Sequence, residues 1–215
     1  MTVTRGRGDW RVVVITDAAR SRGRSHLEIA EAAIRGGATA VQLRMKHETA
    51  RVIAETARAL AATCRAAGVA LMLNDRVDLA LACGADGVHV GQDDLPAAAR
   101  AILGPGPLLG VSAATAEEAA AAERDGADYL GVGAIYATAT KADAGAPVGL
   151  ERIGAVRRAS RLPIVAIGGI TLDNAAATIR AGAAGVAVIT AVTLADDMVA
   201  ATRRLRDEVD AALAR

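Results

Sequence analysis

Short runs of branched apolar residues alternate along the chain with longer stretches in which Ala, Leu and Val recur at helical spacing among Arg and Glu. A run such as Val12 to Thr16 is almost wholly apolar, as expected of a strand covered on both faces, and the stretches between such runs suit the covering helices. The pattern predicts eight strands: Val12 to Thr16, Ala40 to Arg44, Ala70 to Asn74, Gly87 to Val90, Leu108 to Val111, Tyr129 to Val132, Ile164 to Ile167 and Gly185 to Ile189. Because strand and helix alternate throughout, consecutive strands are expected to be parallel and joined by crossover helices.

A repeated junction supports the count. Gly36-Gly37-Ala38, Gly84-Ala85-Asp86, Gly126-Ala127-Asp128 and Ala181-Gly182-Ala183 each stand between a helical stretch and a strand. Glycine suits the left-handed residue that ends a helix, and the spacing places these turns ahead of the second, fourth, sixth and eighth strands. The expected fold is an α/β chain forming a single (β/α)8 TIM barrel; a doubly wound open sheet shares the local patterns and is the alternative. Residues 1–10, polar and rich in Arg and Gly, are expected to be a flexible tail, and residues 11–215 the barrel catalytic domain.

Composition narrows the partners. The chain is 53% hydrophobic yet has no uncharged run long enough to span a membrane, and its start does not read as a signal peptide. A cytoplasmic location is therefore expected. With 25 Lys and Arg against 24 Asp and Glu, there is no broad basic field for nucleic acid or a membrane, so small-molecule substrates are expected and an anion must be caught locally. A homo-oligomer is left open. Cys64 and Cys83 lie in Ala-rich helical stretches without a CxxC partner and read as buried free thiols. Phe is absent, so the core must be built from Ala, Val, Leu and Ile.

In a barrel the chemistry sits where strands run into their following helices, and polar residues gather at those points. They include Gln42-Leu43-Arg44-Met45-Lys46, Asn74-Asp75-Arg76, His89 to Asp94, Ser112, Thr138-Ala139-Thr140-Lys141, Gly168-Gly169-Ile170 and Ile189-Thr190. Asp75 and Asp94 fall at neighbouring strand ends, where two carboxylates can hold Mg2+ while substrate phosphates complete its shell; the alternative is that both are helix N-caps. Arg44, Lys46 and Lys141 converging on that pair would suit a diphosphate better than a core. Gly168-Gly169 and Gly185 are candidates for a phosphate site, or simply turn residues. Residues 137–147 are long for such a loop and read as a lid. His89, inside an apolar strand, reads as a packed core histidine, and His26 and His47 as surface residues at helix starts. Ser112 has no evident histidine partner and reads as a hydrogen-bond donor to phosphate, not a nucleophile.

From Ile15-Thr16-Asp17 to Ile189-Thr190-Ala191 these stretches resemble the thiamine-phosphate synthase family, most specifically in Asn74-Asp75-Arg76-Val77-Asp78-Leu79-Ala80 and in Gly84 to Leu95. The resemblance implies condensation of 4-amino-2-methyl-5-(diphosphooxymethyl)pyrimidine with a thiazole phosphate, giving thiamine phosphate and pyrophosphate by a Mg2+-assisted dissociative route. It assigns Gln42, Leu43, Arg44, Met45, Lys46, Asn74, Ser112 and Lys141 to the pyrimidine diphosphate, with Arg44, Lys46 and Lys141 as catalytic cations. It assigns Thr138, Ala139, Thr140, Gly168, Gly169, Gly185, Ile189 and Thr190 to the thiazole phosphate, and Asp75 and Asp94 to Mg2+. This chain departs from the family's usual pattern at Met45 (commonly Glu), Ala134 and Ala137 (prolines), Val13 (an aromatic) and Thr190 (Ser). Other readings are a thiazole tautomerase-like paralogue, which would need a histidine where Ser112-Ala113-Ala114 has none, a non-catalytic binder of thiamine precursors, and a generic phosphosugar barrel.

Overall fold

In the computed structural model, which describes residues 8–138 and 146–215, every apolar run forms a strand. The strands are β1 (Val12–Thr16), β2 (Ala40–Leu43), β3 (Ala70–Asn74), β4 (Gly87–Val90), β5 (Leu108–Ser112), β6 (Tyr129–Val132), β7 (Ile164–Ile167) and β8 (Gly185–Val188). Around them run α1 (His26–Gly36), α2 (Ala50–Ala67), α3 (Val77–Cys83), α4 (Pro96–Leu103), α5 (Ala116–Arg124), α6 (Glu151–Ala159), α7 (Leu172–Arg180), the single turn α8 (Thr190–Thr193) and α9 (Met198–Leu213). All pairings are parallel, and β1 bonds to both β2 and β8, so the sheet is a closed barrel and not an open one.

Side chains on successive strand residues point to opposite faces, which divides the apolar residues into two cores. Val13, Ile15, Ala40, Met72, Tyr129, Val165 and Ala187 point inward and fill the barrel. Val12, Val14, Val41, Leu43, Leu71 and Leu73 point outward, under helix residues such as Ile29, Ala57 and Leu60. Each fully buried Val, Leu or Ile contributes about 1.5–3 kcal/mol, so this outer layer supplies most of the drive to close the ring.

The junction glycines behave as their position demands: Gly37, Gly84, Gly126 and Gly182 have φ of 96°, 67°, 88° and 110°. The aspartates that follow two of them fasten the lower rim. Asp86 Oδ2 accepts from Leu71 N at 2.8 Å, and Asp128 Oδ2 accepts from Leu109 N at 2.7 Å and from Arg100 Nη2 at 2.6 Å.

Trp10 departs from the expected tail. It is 4% exposed and stacks on Tyr129 with ring centroids 3.9 Å apart, closing the lower end of the barrel. A large apolar ring gains more from covering the open floor than from solvent, and the neighbouring Arg and Gly residues obscured that signal. Cys64 and Cys83 are buried free thiols, and burial pushes the Cys64 thiol up to about 12. Among the described residues, no helix is long and apolar enough to cross a membrane.

Candidate active site

A cavity of about 650 Å³ opens at the carboxyl ends of the strands, where the barrel's inward residues give way to polar ones. From β2 and the loop after it, Gln42, Arg44 and Lys46 reach this cavity. Leu43 and Met45 do not. Leu43 is 1% exposed in the outer core and Met45 packs against the same core, because alternate residues face away from the barrel axis. Their expected contacts with substrate are corrected accordingly.

The cations and amides are held from the side. Arg44 Nη1 donates to Asp17 Oδ2 at 2.8 Å, a pair whose side chains are only 20% and 7% exposed. Gln42 Nε2 donates to Asn74 Oδ1 at 3.0 Å across β2 and β3. That bond leaves the Asn74 amide group and the Gln42 carbonyl oxygen able to meet a ligand.

Asp75 and Asp94 line the same cavity, and neither caps a helix. The N-cap positions are Arg76 for α3 and Leu95 for α4, and neither has a side-chain cap bond. Asp75 has φ 62°, in the left-handed region that a non-glycine residue enters at a cost, while its backbone N–H donates to His89 O at 2.9 Å. Asp94 Oδ2 accepts from Gly91 N at 2.7 Å, which folds the loop after β4 back over its own start. Hard carboxylate oxygens suit Mg2+. Among the described residues no three His, Cys, Asp or Glu groups come together as a cage, so an ion between Asp75 and Asp94 would complete its shell from water and ligand oxygens.

On the opposite side of the mouth lie Gly168, Gly169, Ile189, Thr190 and Thr138. Gly168 and Gly169 have φ of 95° and 65°, and a Cβ on Gly169 would lie 2.6 Å from Ala137 O and 2.7 Å from Tyr136 Cβ. The loop needs both glycines, and Asn174 Nδ2 holds it by donating to Gly169 O at 2.9 Å. Gly185 is not part of the site. It begins β8 at the opposite end of the barrel, where a Cβ would run into the Trp10 carbonyl oxygen, so its glycine serves close packing and not phosphate. The expected site residues Ala139, Thr140 and Lys141, and most of the expected lid, lie outside the described residues.

Three residues read differently in sequence and in structure. His89 is half-buried and lines the cavity instead of packing in a core; its Nδ1 meets Tyr129 Oη at 2.9 Å and its Nε2 meets Ser112 Oγ at 3.1 Å. Ser112 therefore does have a histidine partner, reached across the sheet and invisible to any spacing along the chain. His26, expected on the surface, is buried with Nδ1 2.8 Å from Thr16 Oγ1, and burial lowers its pKa. The sequence also passed over Asp17, which a search for carboxylates at strand ends would have found.

A (β/α)8 barrel whose mouth sets cations and carboxylates against a glycine loop is the layout of an enzyme that handles phosphorylated substrates. Residues 12–192 match the family model described as thiamine monophosphate synthase. The chain belongs to that family. It is 59% identical over 199 residues to the thiamine-phosphate synthase of Chloroflexus aurantiacus, covering 92% of each chain. It is 54% identical over 201 residues to that of Moorella thermoacetica, covering 93% of this chain and 96% of the other. Among solved structures, thiamine phosphate pyrophosphorylase from Pyrococcus furiosus superposes with a TM-score of 0.89 at 38% identity, covering 96% of this chain and 98% of that one. A 3-hexulose-6-phosphate synthase, at a TM-score of 0.66 and 21% identity, shares the fold.

Proposed function

We propose that this chain performs the thiamine-phosphate synthase reaction of its family with Arg44, Lys46 and Lys141 as the cations that receive the departing pyrophosphate. The observation that carries this reading is the meeting of Arg44 and Lys46 with Asp75 and Asp94 in one cavity. Asp75 and Asp94 would hold Mg2+, which when bound supplies positive charge to the diphosphate oxygens.

The remaining steps belong to the chain's own groups. Gln42 and Asn74, already bonded to one another, orient the pyrimidine, and Ser112 donates to a phosphate oxygen. As the bond between the methylene carbon and the diphosphate oxygen breaks, Arg44, Lys46 and Lys141 stabilise the negative charge that gathers on the leaving group. The pyrimidinylmethyl cation left behind is captured by the thiazole nitrogen, whose phosphate rests against Gly168, Gly169, Ile189 and Thr190, with Thr138 and Thr140 as further hydroxyl donors. No covalent bond to the enzyme forms. A preorganised donor in such a site contributes about 3–4 kcal/mol, so Arg44→Ala is expected to lower kcat by about 10²–10³-fold.

The test is pyrophosphate release by purified protein given both precursors, first with Mg2+ and then with EDTA. Metal-dependent release with thiamine phosphate formed supports the reading, and Asp75→Asn and Asp94→Asn should each raise the Mg2+ needed for half-maximal rate. Binding of both precursors with no release would establish a non-catalytic binder instead.

A further inference from the structure

We propose that Tyr129 and His89 are positioning residues whose hydrogen bonds commit the Ser112 hydroxyl to donating into the cavity. The inference rests on the placing of Ser112 at the diphosphate above, and it adds two residues beneath that contact.

The argument begins at Tyr129. Its side chain is 2% exposed, and among the described residues its hydroxyl has one hydrogen-bond partner, His89 Nδ1 at 2.9 Å. A buried hydroxyl that only accepted would leave its own proton unsatisfied, so the phenol donates and Nδ1 accepts. In a neutral imidazole the other nitrogen then carries the hydrogen. His89 Nε2 is accordingly the donor in its 3.1 Å bond to Ser112 Oγ. With one lone pair of Ser112 Oγ occupied by that N–H, the serine's own proton is left for the cavity that the residue lines. An anion there meets a donor already turned toward it, rather than a hydroxyl that must first reorient.

The surrounding strands make room for this arrangement. Gly110 of β5 faces the Tyr129 ring so closely that a Cβ would run into it, and a Cβ on Gly131 of β6 would lie 2.8 Å from His89 Cε1 and 3.2 Å from Nε2. The register pairs His89 with Gly110, Gly110 with Tyr129, and Ser112 with Gly131. Two inward-facing residues on adjacent strands thus lack side chains where the relay's two rings lie.

The wild-type protein alone provides the first test. Nitrogen NMR of isotopically labelled histidine at about pH 8, with the His89 signal identified by its loss in His89→Gln, should show the proton on Nε2. In Tyr129→Phe, which removes one buried oxygen, the Nδ1–H form should appear, and binding of inorganic pyrophosphate with Mg2+ should weaken by about 3–10-fold. Ser112→Ala should weaken it at least as much, and the double variant no further than Ser112→Ala alone. A proton on Nδ1 in the wild type overturns the proposal. So does a Tyr129→Phe protein that melts at a lower temperature yet binds pyrophosphate as the wild type does. Neither readout needs turnover, so they stand or fall separately from the synthase reading.

Discussion

Asp17, at the end of β1, holds Arg44 Nη1 at 2.8 Å from the end of β2, beside the cavity and not across it. A guanidinium has five N–H donors, so the contact fixes its plane and leaves other donors for an anion. Asp17→Ala should therefore raise KM for the pyrimidine diphosphate about tenfold, with a smaller effect on kcat, in steady-state kinetics. It should also cost up to about 3 kcal/mol of stability, because a partly buried charge loses its partner. An unchanged KM would show that Arg44 keeps its place without Asp17.

Asp75 offers a separate comparison. Its φ of 62° is one that glycine adopts freely and alanine does not. Asp75→Gly and Asp75→Ala both remove the carboxylate, so the difference between them isolates the backbone. The glycine variant should be more stable by about 1–2 kcal/mol, or roughly 2–8 °C in Tm, while both lose Mg2+-dependent turnover. Equal melting temperatures would show that the loop relaxes out of the left-handed conformation.

His26 should make stability depend on pH. Burial is the main cause that lowers its pKa below 6.5, with Glu48 and Asp17 acting the other way. The unfolded chain therefore takes up a proton at this site before the folded one does, and stability falls as pH drops below about 6.5. Between about pH 7.5 and 5.5 the wild-type Tm should decline more steeply than that of His26→Gln. Parallel curves would remove His26 as the cause.

Gly185→Ala should be a stability variant and not a binding one. The added carbon meets the Trp10 backbone, which cannot move without opening the lower end of the barrel. A loss of about 3 kcal/mol or more is expected from overpacking at this junction, with pyrophosphate binding by the folded fraction unchanged. Weakened binding in the fully folded protein would return Gly185 to the phosphate site.

The architecture was legible because burial on both faces leaves apolar runs, and because a left-handed helix end selects glycine at positions such as Gly37 and Gly126. The polar positions at strand ends singled out Gln42, Arg44, Lys46, Asp75 and Asp94, and all five line the cavity. Alternation along β2 turns Leu43 and Met45 away from the axis that Gln42 and Arg44 face, a signal present in the sequence itself. His89 could not be read in the same way. Its role depends on the lateral register that brings β4, β5 and β6 side by side, and a run of residues carries no record of that register. Gly185 was misplaced for a related reason, since a glycine at the start of a strand and one at its end read alike until the strand has direction within a barrel.

Trp10 is the chain's single tryptophan, and it lies against Tyr129 under the barrel floor. The protein thus carries one indole fluorophore, which can be excited at wavelengths where its two tyrosines hardly absorb, placed at the end remote from the cavity. Its emission would report the integrity of the lower closure with no contribution from another indole. Unfolding followed by that emission, compared with unfolding followed by loss of ligand binding, would reveal whether the two ends of the ring come apart together or in turn.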